Sequence, residues 1–149
     1  MAESEPRPFF DANVLFSAFY RPSSVPGALL RRHAQGTLSI VVSSLVLREV
    51  TRSLRRKQPL YLPTLEAFLT DTPLEIAPAP SEEAIGTMTG CINAKDAPIL
   101  AAAIGSGADC VVSGNTRHFT QDAARCAGIA IYTPAAFLAA LDRSNDARR

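Results

Sequence analysis

The sequence has no stretch of about 18 uninterrupted apolar residues, which excludes a membrane-spanning helix. It also lacks an excess of either charge. Fifteen Lys and Arg against 14 Asp and Glu leave a formal net charge of +1, so attraction to an acidic ligand has to come from where the charges sit. Cysteine is scarce and unpatterned. Cys91, Cys110 and Cys126 are odd in number, widely spaced, set in apolar surroundings and without CxxC spacing. Neither a disulfide framework nor a zinc site is encoded, and three reduced, packed thiols are expected. The opening Met1–Pro6 carries two acids and lacks the basic start and apolar stretch of a signal peptide, so a cytoplasmic protein is expected.

What is present is one ordinary domain. A chain of 149 residues with 47% hydrophobic and 19% charged residues matches a single globular unit and rules out a wholly disordered one. No internal repeat or long linker divides it. Residues 1–8 are expected to be extended or disordered, 9–141 to form the domain, and 142–149 to be a flexible tail.

Within the domain, Phe9–Leu15 reads as a short strand ending near Asp11, followed by a turn into a second apolar stretch. Pro26–Ala34 reads as a helix capped by Ser24, and Leu38–Val42 as a strand. A helix starts at Ser43 or Ser44 and runs to about Arg56, and Leu62–Leu69 makes another. Leu74–Ala77 is a strand and Ser81–Ile92 a helix. Asp96 opens a helix over Ala97–Ile104, apolar almost all round, as one covered on both sides would be. Strands at Cys110–Ser113 and Ile129–Tyr132 precede a closing helix from Pro134. Alternating strands and helices predict an α/β fold, a three-layer α/β/α sandwich around a central parallel sheet.

Ligands of open parallel sheets bind at the carboxyl ends of the strands. The predicted topology sends four polar residues there: Asp11 after the first strand, Asn115 after the fourth, Asp96 at a helix start, and Glu49 between one and two turns into the helix after the second strand. In that helix Val46, Leu47, Val50 and Leu54 make the apolar face, while Arg48, Arg52, Arg55 and Arg56 make a basic one. Glu49 falls on the seam. Taken singly, Asp96 reads as a helix cap, Asp11 as a turn former and Glu49 as a solvated partner of Arg48 or Arg52. Taken together they read as a site. Clustered carboxylates repel one another unless a cation neutralises them, and hard oxygen donors without His or Cys favour Mg2+ or Mn2+. Such an ion serves phosphodiester hydrolysis. His33 reads as a surface residue, and His118 as a surface-loop histidine with phosphate contact as the alternative.

Four strings carry a family resemblance: Phe10-Asp11-Ala12-Asn13-Val14-Leu15, Ser43 through Glu49, Lys95 through Ala103, and Val112-Ser113-Gly114-Asn115-Thr116-Arg117-His118-Phe119. In content and order they resemble the signature blocks of PIN-domain ribonucleases, above all the VapC-type toxins of toxin–antitoxin operons. The resemblance implies magnesium ligation by Asp11, Glu49 and Asp96, with Asn115 completing the catalytic set. Asn13, Arg52, Ser113 and Arg117 are then the expected substrate contacts. It also implies RNA as substrate, a cognate antitoxin protein as partner, and a homodimer, for which the Leu60–Leu69 segment is the candidate face. One position departs from the family pattern. Asn115 stands where a fourth Asp is usual, removing one negative charge and weakening a second metal more than the first.

Two other Asp-based enzyme classes fit poorly. A haloacid-dehalogenase-type phosphatase needs a second Asp where this chain has Asn13. A receiver domain needs an acidic pair, a central Asp and a late Lys, whereas the only lysines here are Lys57 and Lys95. The remaining alternative is a PIN-like RNA-binding or protein-interaction module that no longer cuts, with Asn115 as the mark of that loss.

Overall fold

A computed structural model describes residues 5–147. Its strands are β1 (Pro8–Phe10), β2 (Val41–Val42), β3 (Glu75–Ile76), β4 (Cys110–Val112) and β5 (Ala130–Tyr132). All pair in parallel, in the order β3-β2-β1-β4-β5. Phe9 lies opposite both Val41 and Val111, so β1 is the central strand. The side chains of β1, β2 and β4 are all buried, as a sheet covered on both faces requires.

The covering helices are α1 (Ala12–Tyr20), α2 (Val25–Ala34), α3 (Ser44–Lys57), α4 (Leu62–Asp71), α5 (Glu82–Met88), α6 (Ala97–Gly105), α7 (Gln121–Ala127) and α8 (Pro134–Ala147). A single 3-10 turn at Pro59–Tyr61 leads into α4. With this strand order and the right-handed rule for parallel crossovers, α1 to α4 cover one face and α5 to α7 the other, and α8 packs on α2. The result is the expected three-layer α/β/α sandwich.

Local sequence explains where these helices begin. Ser24 Oγ accepts the Gly27 amide at 3.2 Å, Ser43 Oγ accepts that of Val46 at 3.2 Å, and Thr120 Oγ accepts that of Ala123 at 3.1 Å. Gly128, at φ 73°, ends α7 in the left-handed conformation that costs glycine least. Ala97 and Ile99 through Ala103 are all buried, matching the all-round apolar pattern of α6.

Several expectations need correction. The apolar stretch after Asp11 is α1, with Asp11 itself as its cap. The strands expected at Leu38–Val42 and Leu74–Ala77 shorten to β2 and β3, and α5 stops before Gly90. Residues 142–147, expected to be tail, continue α8, where Asp142 is held by Arg32 at 2.8 Å. Residues 1–4 of the expected N-terminal arm and 148–149 of the tail lie outside the described residues. Arg7, in the described part of that arm, is tied down: its amide donates to Asp109 at 2.7 Å and its guanidinium to Glu75 and the Ser106 carbonyl.

Two of the three expected thiols are a disulfide. Cys91 and Cys126 are bonded, with Cα atoms 5.5 Å apart. They lie 35 residues apart in sequence, but the segment after α5 runs against α7 on the same face of the sheet, a proximity that local spacing does not reveal. Cys110 alone stays reduced, and burial pushes its thiol up to about 12. His33 is buried with Leu29 and Leu30 rather than exposed. Its Nδ1 accepts the Ile40 amide at 3.0 Å and its Nε2 donates to the Pro73 carbonyl at 3.1 Å, so the ring satisfies two backbone groups where loops cross beneath α2.

Candidate active site

From β1 the chain moves first to β2 on one side and later returns to β4 on the other. This reversal opens a crevice at the carboxyl ends of the two strands. Asp11 directly follows β1, and Ser113, Gly114 and Asn115 follow β4.

Asp11 is 7% exposed. Its Oδ1 accepts the Ala12 amide at 2.8 Å, and its Oδ2 accepts the Ser113 hydroxyl at 2.7 Å and the Asn13 amide at 3.0 Å. Burial holds its pKa above the ordinary carboxylate value and Asp96 adds to the rise, while the three donors oppose it. Asn13 and Ser113 are thus engaged in fixing Asp11. Asn13 Oδ1 also accepts the Gly114 amide at 2.8 Å, and a Cβ on Gly114 would lie 3.1 Å from that oxygen. Glycine allows this close approach. Ser113 Oγ also accepts the Asn115 amide at 3.0 Å, which orients the loop after β4.

Asp96 is not used as a helix cap, since its side chain accepts no amide of α6. Asn93 Nδ2 donates to its Oδ2 at 2.8 Å, and His118 Nδ1 faces the same oxygen at 2.8 Å. The side-chain Nδ2 of Asn115 lies 3.2 Å from that ring nitrogen. His118, read from sequence as a surface residue, therefore belongs to the site.

Glu49 sits half-buried across the cleft. Its pKa is raised by burial first and then by Asp11 and Asp96, with Lys95 and Arg52 pulling the other way. On α3, Glu49, Ser53 and Lys57 follow one another every four residues and line the same cleft, a cavity of about 320 Å³. Asp11, Asn13, Asp96 and Asn115 line it too, with Phe16 and Lys95 on its walls. The expected Arg52 and Arg117 are exposed and lie outside this lining; only Arg52's charge is felt by Glu49. The signal for this face in the sequence is the Glu49–Ser53–Lys57 spacing of one residue per helical turn, beside the more conspicuous arginine row.

The structure therefore brings Asp11, Glu49, Asp96 and Asn115 to one cleft from four distant segments. Among the described residues, no group of three or more His, Cys, Asp or Glu side chains is arranged to hold a metal ion. The donor chemistry nonetheless suits a hard divalent cation. The cleft offers carboxylate oxygens that press on one another's ionisation, the repulsion such an ion relieves.

Comparison with known proteins gives the family and the fold. The PIN domain family matches residues 7–117, which contain every acidic residue of the cleft, and the chain belongs to that family. No curated protein matches it by sequence. Among solved structures it is similar to FitAcB from Neisseria gonorrhoeae, with a TM-score of 0.58 and 16% identity over 85% of this chain and 97% of that one. It is similar as well to VapBC2 from Rickettsia felis bound to a DNA fragment from their promoter, with a TM-score of 0.59 and 18% identity over 84% of this chain and 96% of that one. A third likeness is to PAE2754 from Pyrobaculum aerophilum, with a TM-score of 0.54 and 15% identity over 85% and 83%. At these identities the likeness is one of fold.

Proposed function

We propose that the protein is a divalent-metal-dependent endoribonuclease, the toxin of a toxin–antitoxin module. The observation that carries this reading is that Asp11, Glu49 and Asp96 line one cleft and that Asp11 and Glu49 are held above their ordinary carboxylate pKa values. Membership of the PIN domain family and the shared fold of FitAcB and VapBC2 support it.

In this reading Asp11, Glu49 and Asp96 hold Mg2+ or Mn2+. When bound, such an ion would polarise a phosphoryl oxygen and make a coordinated water more acidic than bulk water. The chain's own residues do the rest. Ser113, Asn13 and the Ala12 amide fix the Asp11 carboxylate, and Asn93 and His118 fix that of Asp96. Asn115 offers an amide where a fourth carboxylate would add charge, so one ion is favoured over two. Lys57 and Lys95 at the walls receive backbone phosphates, which position RNA without reading its bases. The proposal extends to a cytoplasmic protein and a homodimer whose contact uses the Leu60–Leu69 segment, where the Leu60 side chain is 88% exposed. It also includes an antitoxin whose tail enters the acidic cleft, placing an arginine against Asp11 and Asp96 or filling the groove near Arg52.

A second reading draws on Asn115, an amide where a fourth carboxylate is usual. It makes the protein an RNA-binding or protein-interaction module that does not cut. Incubating purified protein with a labelled RNA and Mn2+ decides between them. Cleavage by the wild type that is lost in Asp11→Asn and Asp96→Asn proteins supports the enzyme; identical background in all three supports the second reading.

A further inference from the structure

One wall of the acidic cleft is neither acidic nor part of the carboxylate machinery. Phe16 follows Asp11 by five residues on α1 and lines the cleft, half-buried. One helical turn on, Tyr20 stacks on it with ring centroids 5.5 Å apart and planes 16° from parallel. Tyr61, from the turn after α3, meets Tyr20 edge-on at 6.1 Å. Basic groups flank this ladder. Lys57 Nζ lies 5.4 Å from the Phe16 ring centroid while also lining the cleft, and the Arg21 guanidinium lies 5.8 Å from that of Tyr20. At about 1.5 Å rise per residue, Asp11 to Tyr20 spans about 13 Å, so the ladder leads away from the carboxylates along α1.

We propose that Phe16, Tyr20 and Lys57 form a subsite for single-stranded RNA, with bases held against the rings and a phosphate at the Lys57 ammonium. The proposal rests on the ribonuclease reading of the adjoining cleft. Stacked aromatics interleaved with cations are the chemistry that holds single strands, because every base has a π-face and every linkage a negative charge. A duplex has its bases stacked on each other and cannot offer those faces. Packing alone would account for the rings. It does not require an exposed lysine poised over one of them at the mouth of an acidic cleft, where a polyanion would otherwise be repelled.

The test uses the full chain carrying Asp11→Asn, so that RNA is not cut, and reads fluorescence anisotropy of a short labelled single strand and of its duplex. The single strand is expected to bind more tightly. Phe16→Leu and Tyr20→Leu are each expected to weaken it about tenfold. Lys57→Ala is expected to flatten the dependence of log affinity on log salt by about 0.7. Phe16→Tyr and Lys57→Arg keep the ring and the charge and are expected to bind like the parent, which separates contact from folding. Equal affinity for duplex and single strand overturns the proposal. So does unchanged binding in all three disruptive variants, even where the wild type cleaves RNA and the nuclease reading stands. If the wild type fails to cleave but the three variants still lose binding, the nuclease reading falls and the subsite stands.

Discussion

His118 Nδ1 stands 2.8 Å from Asp96 Oδ2, joining side chains 22 residues apart in sequence. The imidazole is half-exposed while the carboxylate is only 14% exposed, so His118 covers Asp96 from the solvent side. Asn93 approaches the same oxygen at 2.8 Å, and together the two fix which way the carboxylate faces. Partners that orient a ligating group typically matter by 10–100-fold when removed. His118→Ala is therefore expected to weaken Mn2+ binding by about tenfold in titration calorimetry. Equal affinity in the two proteins would show that the ring does not orient Asp96.

Glu49 gives a dependence on pH with a definite sign. Its folded-state pKa is raised, so between its unfolded and folded values the native protein holds the extra proton. Stability from this group is therefore present at low pH and lost as pH rises through that window. Glu49→Gln removes the loss and is expected to raise the melting temperature of the metal-free protein at pH 7. The gain should vanish below about pH 4, where Glu49 is protonated in both states. Added Mn2+ should stabilise the wild type more than the variant, because binding to the native state alone raises its melting point.

The Cys91–Cys126 bond closes a loop of 35 residues between the end of α5 and α7. Chain entropy assigns such a closure about 3–4 kcal/mol. The Cys91→Ser, Cys126→Ser double variant is expected to lose that much in urea unfolding, and a phosphine reductant should bring the wild type to the same midpoint. Intact-mass measurement showing three free thiols in the air-oxidised protein would refute the bond.

His33→Ala leaves the Ile40 amide and the Pro73 carbonyl without their partner and opens a gap beside Phe68. The expected cost is about 2–4 kcal/mol from unsatisfied groups and lost packing. Denaturant titration measures it directly. RNA cleavage by the fraction that remains folded should be unchanged, since His33 lies near the end of α2 and is not part of the acidic cleft's lining.

The five strands, six of the eight helices and the parallel sheet were legible along the chain, α1 and α7 being the exceptions, and so was the meeting of Asp11, Glu49, Asp96 and Asn115 at one edge of the sheet. Each depends on local signals: apolar periodicity, capping serines, and carboxylates placed at strand ends or helix starts. Tertiary packing decided what those signals do not encode. Asp96 is a free carboxylate rather than a cap because His118 and Asn93 engage it from outside its helix. Ser113 and Asn13 are engaged with Asp11. Lys57, not the more numerous arginines of its helix, stands at the cleft because it falls on the same face of α3 as Glu49. Cys91 met Cys126 and His33 went inside for the same reason. Periodicity fixes which face of an element is apolar, but only the assembled layers decide which distant side chain arrives opposite it.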